Sequence, residues 1–311
     1  MSRTEFDSLN KTPLIERGIK FGYRLNSRTS EGFVVGEDRI ERREFLKKAF
    51  DLKDKSRFNK KYEEASTGSG QPHKDFDALR SSALCALLSF YGISDLEIGN
   101  EHYDKAYFEV QNTVIPGRQP SNMDVVLVSK DNKTILFLEC KFSEYKTNAQ
   151  QEVPNDYLDS CNLSNRLYDL VVKNGLGTIV RGKEKFIFKT KDAYSQGTKQ
   201  VISHLVGITS FLNRSSGHKN QFSFYGEDDE RKSLYNMKFE KVIFQEILFE
   251  LKGYESELNA YIELSEKVRK LFVNSGLISN IEFAPATTYQ KVFKGQRGIN
   301  VDNLVADFYK Y

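Results

Sequence analysis

The residues with the clearest chemical potential are Asp124 and the triplet Glu139-Cys140-Lys141, which lie in consecutive apolar segments. If Asp131-Asn132 forms the turn of a hairpin, for which both residue types tolerate the left-handed conformation, Asp124 pairs directly with Glu139. Lys141 then points to the same face as Glu139. Two carboxylates about 5 Å apart repel by about 3 kcal/mol at an effective dielectric constant of about 20. A single lysine offsets only part of this cost.

A divalent cation between the carboxylates resolves the conflict, because Mg²⁺ in proteins is commonly held by one or two carboxylates together with water and phosphate oxygens. The sequence therefore predicts a Mg²⁺ site, with Mn²⁺ as an alternative ion. Its ligands are the side chains of Asp124 and Glu139 and the backbone carbonyl of Cys140. A water activated beside Lys141 is suited to attack phosphorus, so these residues predict a metal-dependent phosphodiester hydrolase.

Hydrophobic periodicity indicates the elements that position these residues. Predicted helices cover 75–91, 156–173, 194–212 and 255–273. Predicted strands cover 107–115, 124–129, 134–142 and 241–249, the last of which is also compatible with a buried helix. The order of elements predicts an α/β fold with a mixed central sheet flanked by helices. We expect an N-terminal helical region at 1–65, a core at 66–250 and a C-terminal helical extension at 251–311.

Asp124 followed by Glu139-Cys140-Lys141 at the end of an apolar strand resembles the PD-(D/E)xK phosphodiesterase superfamily. The core of that superfamily is a helix, three strands, a helix and a fourth strand. More narrowly, the segment 139–145 resembles the E-(S/C)-K-F-(T/S)-E signature of a bacterial restriction-endonuclease-like group. The Ser81-Ser82 pair and the glutamine-containing segment 196–205 are similar to the flanking helices of that group. The resemblance extends over roughly residues 66–250.

The resemblance implies a restriction-endonuclease-like core that cleaves double-stranded DNA with Mg²⁺. It implies that Asp124 and Glu139 bind the metal, that Lys141 positions the attacking water and that Gln200 lines the site. Met123 stands where many members have proline. Relatives often add an upstream acid, for which the chain offers Glu63, Glu64, Asp77 and Glu109.

Other acid-x-Lys triplets occur in the chain, so a triplet alone is weak evidence. Glu250-Leu251-Lys252 is the main rival because it also follows an apolar run, but its upstream segment lacks strand alternation. A surface ion cluster of Asp124, Glu139 and Lys141 is the structural alternative. His204 falls in a helical run, where a partly buried histidine with satisfied hydrogen bonds is the favoured interpretation.

Positive charge is concentrated in two segments, although the whole chain carries only +3. The segment 42–61 is compatible either with a phosphate-contacting stripe or with the solvated face of an amphipathic helix. The run 181–191 alternates basic and apolar residues, and its Lys183, Lys185 and Lys189 are candidate DNA contacts in a hairpin. An exposed, half-buried strand pair explains the same alternation at least as well.

Composition and motifs exclude several classes of protein. The 311 residues are 39% hydrophobic, which indicates a folded chain. We expect a cytoplasmic, non-membrane protein with reduced thiols, because the sequence has no long apolar segment, signal-peptide pattern or paired-cysteine motif. It also has no P-loop, dinucleotide fingerprint or GxSxG elbow, which argues against an ATP-driven motor or a serine hydrolase.

The favoured function is a Mg²⁺-dependent, restriction-type DNA endonuclease. Protective methylation would require a separate methyltransferase, and a homodimer suits symmetric cleavage of both strands. One alternative is a nucleic-acid-binding protein that kept the fold without catalysis. Another keeps catalysis but acts in repair, on junctions or on RNA.

Overall fold

The computed structural model describes residues 43–44, 46–47, 52, 54–68, 71–72, 81–142, 150–159, 162–190, 195–213, 225, 228–251 and 253–296. Within these residues the helices are α1 Lys55–Ser66, α2 Ser82–Phe90, α3 Asn155–Asp159, α4 Asn162–Lys173, α5 Ser195–Asn213, α6 Glu255–Asn274 and α7 Tyr289–Phe293. The strands are β1 Thr67–Gly68, β2 Gln71–Pro72, β3 Leu96–Ile98, β4 Glu101–Asn112, β5 Ser121–Ser129, β6 Thr134–Lys141, β7 Gln151–Val153, β8 Gly177–Arg181, β9 Phe186–Thr190, β10 Lys241–Leu248, β11 Glu282–Phe283 and β12 Thr287–Thr288. A 3₁₀ helix spans Glu230–Asn236.

A mixed sheet of seven strands forms the centre of the fold. Strands β3 to β6 are antiparallel, and β10 runs parallel to β6. Both β11 and β12 pair in parallel with β10. All residues of β6 are buried, as expected for a strand with neighbours on both edges and helices on both faces. The predicted α/β class, with a mixed central sheet flanked by helices, is confirmed.

The hairpin between β5 and β6 has the predicted register. Val125 pairs with Leu138, so the pairing is centred between Asp131 and Asn132. The connection runs over 130–133 and is longer than the predicted two-residue turn, with Asn132 in the left-handed region at φ 60°. Because register depends on the midpoint of a turn, the longer connection leaves the pairing unchanged.

Most predicted helices and strands are observed with similar bounds, but β4 spans Glu101–Asn112 rather than the predicted 107–115. Helices α5 and α6 begin and end within a residue or two of the predicted bounds, and β10 is a strand rather than a buried helix. The predicted helix 156–173 is described as α3 and α4. Helix α2 begins after Ser81, whose Oγ accepts the Leu84 N–H at 3.1 Å and so caps the first turn. The predicted capping residue Asp75 lies outside the described residues.

Helices cover both faces of β6. Helix α5 lies on the face that carries Phe137, whose ring meets Phe211 edge-on with centroids 5.6 Å apart. Helices α2 and α7 lie on the opposite face, where the rings of Phe90 and Tyr289 pack together with their centroids 6.0 Å apart. Because side chains alternate along a strand, the α5 face also receives the side chains two and four residues beyond Phe137.

The described part of the chain beyond residue 250 is built into the same core. It supplies β11 and β12 to the central sheet. The ring of Tyr289 in α7 packs against that of Phe249, with the ring centroids 6.0 Å apart. The buried apolar residues form one cluster from Leu46 to Phe293. A separate three-stranded sheet, β7–β9–β8, contacts α5. Among the described helices, none has the length and apolarity needed to cross a membrane.

Candidate active site

Four carboxylates lie in a row across four neighbouring strands of the central sheet. The pairs on either side of Glu109 in β4 place it opposite Asp124 in β5. The β5–β6 register, continued by one residue, places Asp124 opposite Glu139, and Glu246 of β10 pairs with Glu139. Directly opposed side chains share one face of a sheet, so these four carboxylates are neighbours.

The strands that carry Asp124 and Glu139 separate at the site. The last described β5–β6 pair is Val125 with Leu138, and beyond it the Cys140 N–H donates to Oδ2 of Asp124 at 2.7 Å. The N–H and carbonyl of one strand residue point to the same side, so the Cys140 carbonyl also faces Asp124. The Cys140 thiol lies on the opposite face, where burial raises its pKa well above the usual value. Its carbonyl is therefore the group available to a ligand at this site.

Glu139 is held at both carboxylate oxygens. Lys141 Nζ donates to Oε1, and Nε2 of His204 lies 2.7 Å from Oε2. Only 2% of Glu139 is exposed. Burial favours the protonated carboxyl, but the ammonium of Lys141 and then His204 outweigh it and lower the pKa of Glu139 to about 2. Glu139 is therefore ionised at neutral pH.

Two residues one turn apart on α5 complete this network. Oε1 of Gln200 accepts a hydrogen bond from Lys141 Nζ at 2.6 Å, and Nδ1 of His204 lies 2.5 Å from Oγ of Ser121. The helix approaches the sheet closely at Gly207, where an added Cβ would stand 2.9 Å from a side-chain carbon of β4. A larger residue there would move α5, and with it Gln200 and His204, away from the sheet.

The ionised forms of Asp124 and Glu109 are poorly compensated in the unliganded site. Burial, followed by the charges of Glu139 and Glu109, raises the pKa of Asp124 well above its usual value. Burial raises the pKa of Glu109 to about 7, and the charge of Glu139 adds to the effect. Glu109 also has φ of 51°, a conformation that non-glycine residues seldom adopt and that clusters at functional sites. Ionisation of both groups together with Glu139 would place more negative charge in the site than Lys141 balances.

An arginine fixes the unusual backbone of Glu109. Strand β3 pairs only with the first residues of β4, and further along this edge Nη1 of Arg231 donates to the carbonyls of Phe108 and Glu109 at 3.0 and 3.4 Å. Asp229 holds the guanidinium through bonds of 2.6 to 3.1 Å. Arg231 therefore satisfies carbonyls that lack a neighbouring strand in the described structure, and it holds Glu109 beside Asp124.

The donor set at this site fits a hard divalent cation. Glu109, Asp124 and Glu139 supply carboxylate oxygens and Cys140 supplies a carbonyl, which are the ligand types that Mg²⁺ and Mn²⁺ take in proteins. Within the described residues, no three His, Cys, Asp or Glu side chains already stand at the spacing of a metal cage. Both oxygens of Glu139 contact Lys141 and His204 instead. The fit therefore lies in the type of donor and in the excess negative charge.

The structure brings together the residues predicted to be catalytic, which are Asp124, Glu139, Lys141 and Gln200. Of the upstream acids considered, Glu109 lies beside Asp124. Glu63 and Glu64 form ion pairs with basic residues of their own helical region, and Asp77 lies outside the described residues.

Sequence reasoning assigned no functional role to His204, Ser121 or Glu246, which the structure places in or beside this network. The interpretation of His204 as a histidine with polar partners agrees with its contacts to Glu139 and Ser121, but the side chain is buried rather than partly buried and it joins the candidate site. His204 lies four residues after Gln200, so both side chains lie on one face of α5. This spacing is the sequence signal that could have identified His204 as a neighbour of the site. Glu246, within the apolar β10, accepts hydrogen bonds from the hydroxyls of α6 at 2.8 and 2.5 Å.

The predicted basic hairpin is an antiparallel strand pair, β8 with β9, to which β7 adds a third strand. Lys183 and Lys185 lie in its turn and Lys189 lies on β9, and all three are exposed. Lys185 forms an ion pair with Glu152 at 2.8 Å. The hairpin is thus part of a folded sheet, and its lysines remain predicted DNA contacts.

The basic segment 42–61 and the rival triplet Glu250-Leu251-Lys252 form structural contacts. In the stripe 42–61, Lys60 and Lys61 both pair with Glu230, which favours a charge-paired helix face over a free phosphate-contacting surface. In the rival triplet, Glu250 is exposed and accepts a hydrogen bond from Thr288 at 2.5 Å. Lys252 lies outside the described residues.

The fold and the site together define an α/β protein with a carboxylate–lysine centre where two central strands separate. Comparisons of the chain with protein-family models, with curated proteins and with solved structures each found no match. The function is therefore inferred from the geometry and chemistry of the site.

Proposed function

We propose that this protein is a Mg²⁺-dependent endonuclease of the PD-(D/E)xK type that hydrolyses phosphodiester bonds of double-stranded DNA. The observation that carries the proposal is the opposition of Asp124 and Glu139 at separating strands, with Lys141 bound to Glu139. Two carboxylates and a lysine in this arrangement suit a hydrolysis in which negative charge develops on a phosphate.

The order of elements supports the same proposal. Helix α2 precedes the antiparallel strands β4, β5 and β6, helix α5 follows them, and β10 then lies parallel to β6. The restriction-endonuclease-like core has the same order of one helix, three strands, a helix and a fourth strand. The short strand β3, the segment between β6 and α5 that holds α3, α4 and the β7–β9–β8 sheet, and the region beyond 250 would be additions to this core.

Each residue of the network has a role in this reaction. Asp124, Glu139 and the Cys140 carbonyl would hold the Mg²⁺ ion, with Glu109 as a third carboxylate. When bound, the ion supplies positive charge that stabilises the phosphate oxyanion and favours ionisation of the attacking water. Lys141 donates a hydrogen bond that orients this water.

Three further side chains support the catalytic ones. Gln200 fixes the ammonium of Lys141 through its bond of 2.6 Å. His204, itself in contact with Ser121, fixes the Glu139 carboxylate. The buried position of the network limits the motion of these groups and so reduces the reorganisation needed at the reacting phosphate.

The proposal is tested by incubating the full-length protein with supercoiled, unmethylated plasmid in MgCl₂, MnCl₂ or EDTA. Wild type should nick or linearise the plasmid only with a divalent ion. Lys141→Ala and Glu139→Gln should lower the rate by at least about a hundredfold. Glu250→Gln, which alters the exposed acid of the rival triplet, should retain the rate. Equal cleavage by wild type and Lys141→Ala would refute the proposal.

The substrate class is tested with linear, branched and single-stranded DNA and with RNA under the same conditions. Preference for duplex DNA supports the restriction-type assignment, whereas preference for branched DNA or RNA replaces it. Binding without cleavage in any divalent ion identifies a non-catalytic binding protein. Under this proposal a separate methyltransferase would protect the host DNA, and a homodimer would suit symmetric cleavage of both strands.

A further inference from the structure

A cleft of about 580 Å³ lies on the side of α5 that faces the β7–β9–β8 sheet. Its walls are the loop before β5, the start of α3 and the turn between β8 and β9. Its charged lining residues are Arg118, Asp156, Glu184, Lys185 and Lys199. The cleft is therefore polar and large enough for a phosphate group with its attached sugar.

The cations of the cleft differ in how their charge is balanced. Arg118 is bound by Asp156 at 2.5 and 2.8 Å, and Lys185 by Glu152 at 2.8 Å. Lys199, in contrast, is half-buried, and no carboxylate among the described residues forms an ion pair with it. Glu152, which is bound to Lys185, acts on Lys199 only through its charge and not through an ion pair among the described residues. A half-buried ammonium with so little compensation is costly, and an anionic ligand would reduce that cost.

Burial, and then the like charge of Lys185, lower the pKa of Lys199. The charge of Glu152 acts in the opposite direction but does not outweigh these two effects. An anion in direct contact with the ammonium would favour the charged form more strongly. The cost is therefore present in the unliganded protein and would be relieved by an anion in the cleft.

The cleft adjoins the candidate active site through α5. Lys199 directly precedes Gln200, whose side chain binds Lys141. Successive residues of a helix point about 100° apart, so Lys199 flanks the network rather than joining it. Two lining residues of the cleft, Lys199 and Pro120, are thus next in sequence to Gln200 and Ser121 of the network.

We propose that this cleft is a phosphate-binding subsite in which Lys199 contacts a backbone phosphate of bound nucleic acid next to the scissile one. The proposal rests on the proposed nuclease function for the identity of the ligand. Arg118 and Lys185, already held by acids, shape the walls of the subsite. Glu184 faces the same cleft as an exposed carboxylate, and its charge opposes phosphate binding.

The test separates phosphate binding from catalysis by using the full-length Lys141→Ala protein as parent, without divalent ions. A fluorescent duplex DNA is titrated at several NaCl concentrations. Adding Lys199→Ala should weaken binding roughly tenfold and reduce the slope of log Kd against log salt by about one. Adding Lys199→Arg, which keeps the charge, should restore the slope. Adding Glu184→Gln should strengthen binding.

A matched control removes a lysine at the other end of β6. Lys133 is exposed and pairs with Glu240 at 2.9 Å, and it lies about 25 Å from Lys141 along the strand. Lys133→Ala should leave both the affinity and the salt slope unchanged. Unchanged DNA binding by Lys199→Ala, or an equal loss with Lys133→Ala, would overturn the proposal.

A second titration identifies the source of the phosphate. Sodium pyrophosphate is added to the parent and to its Lys199→Ala form, and heat of binding is measured. Lys199-dependent binding of pyrophosphate without Lys199-dependent binding of DNA would overturn the nucleic-acid subsite in favour of a free phosphate ligand. If wild type cleaves no nucleic acid but DNA binding depends on Lys199, the subsite stands and the nuclease function fails. If wild type cleaves and Lys199→Ala binds normally, the subsite alone fails.

Discussion

Replacing Glu109 with glutamine should stabilise the metal-free protein at neutral and alkaline pH. Burial and the charge of Glu139 raise the pKa of Glu109 from 4.5 to about 7, so the folded state ionises this carboxyl at a cost that the unfolded chain does not bear. Each tenfold change in acidity corresponds to about 1.4 kcal/mol, which makes the full cost about 3 kcal/mol. Glutamine has nearly the same shape, can still contact Asn122 and carries no charge.

The gain should follow pH in a defined way. Below pH 4.5 Glu109 is protonated in both states, and the free energies of unfolding of variant and wild type should differ little. Between pH 4.5 and about 7 only the unfolded state releases the proton, so the wild type loses stability relative to the variant as pH rises. Above this range the difference should level off near 3 kcal/mol, a value that relaxation of the site would reduce.

The assay is urea unfolding in EDTA at a series of pH values, followed by far-ultraviolet circular dichroism because the chain has no tryptophan. Glu97→Gln, at an exposed glutamate of β3, is the matched control and should give a small difference that does not change with pH. A constant difference for Glu109→Gln across the series, or a destabilisation at pH 8, would refute the argument that Glu109 ionises against its neighbours.

Two further substitutions test how the network is held. Tyr261→Phe removes the hydroxyl that donates to buried Glu246 at 2.8 Å, and it should lower the free energy of unfolding by about 1.5–3 kcal/mol in urea titrations; no change would mean that the hydroxyl is replaceable by water. Gly207→Ala should lower the melting temperature and the rate of plasmid cleavage, because its Cβ would stand 2.9 Å from Cβ of Asn112. Gly92→Ala, where a Cβ meets nothing within 4 Å, should be neutral in both measurements, and equal effects of the two alanines would contradict the close approach of α5.

The pairing of the strands could be predicted because register follows from where a turn is centred. Counting outward from Asp131-Asn132 gave the observed β5–β6 pairs. The β4–β5 pairs are likewise centred on Pro116-Gly117, so the same counting places Glu109 opposite Asp124. The position of Glu109 as the third carboxylate could therefore be predicted from the sequence by the same counting, which distinguishes it from the other candidate acids.

The contacts between α5 and the sheet could not be predicted in the same way. The link from Ser121 through His204 to Glu139 joins the β5–β6 hairpin to a helix that lies far beyond it in the chain. It depends on where α5 crosses the strands, and the close approach at Gly207 that sets this crossing has no local pattern. Helical spacing could only show that Gln200 and His204 share a face.

The row of carboxylates also shows where a cation would relieve the most unfavourable charge. Glu246 accepts two hydroxyl hydrogen bonds, and Glu139 has both oxygens in contact with Lys141 and His204. Asp124 accepts one backbone N–H bond, from Cys140, and its pKa is raised, as is that of Glu109. Glu246 and Glu139 are thus better compensated than Asp124 and Glu109. Positive charge is most needed beside Asp124 and Glu109, so these two side chains, rather than Glu139 alone, should determine the affinity for a divalent ion.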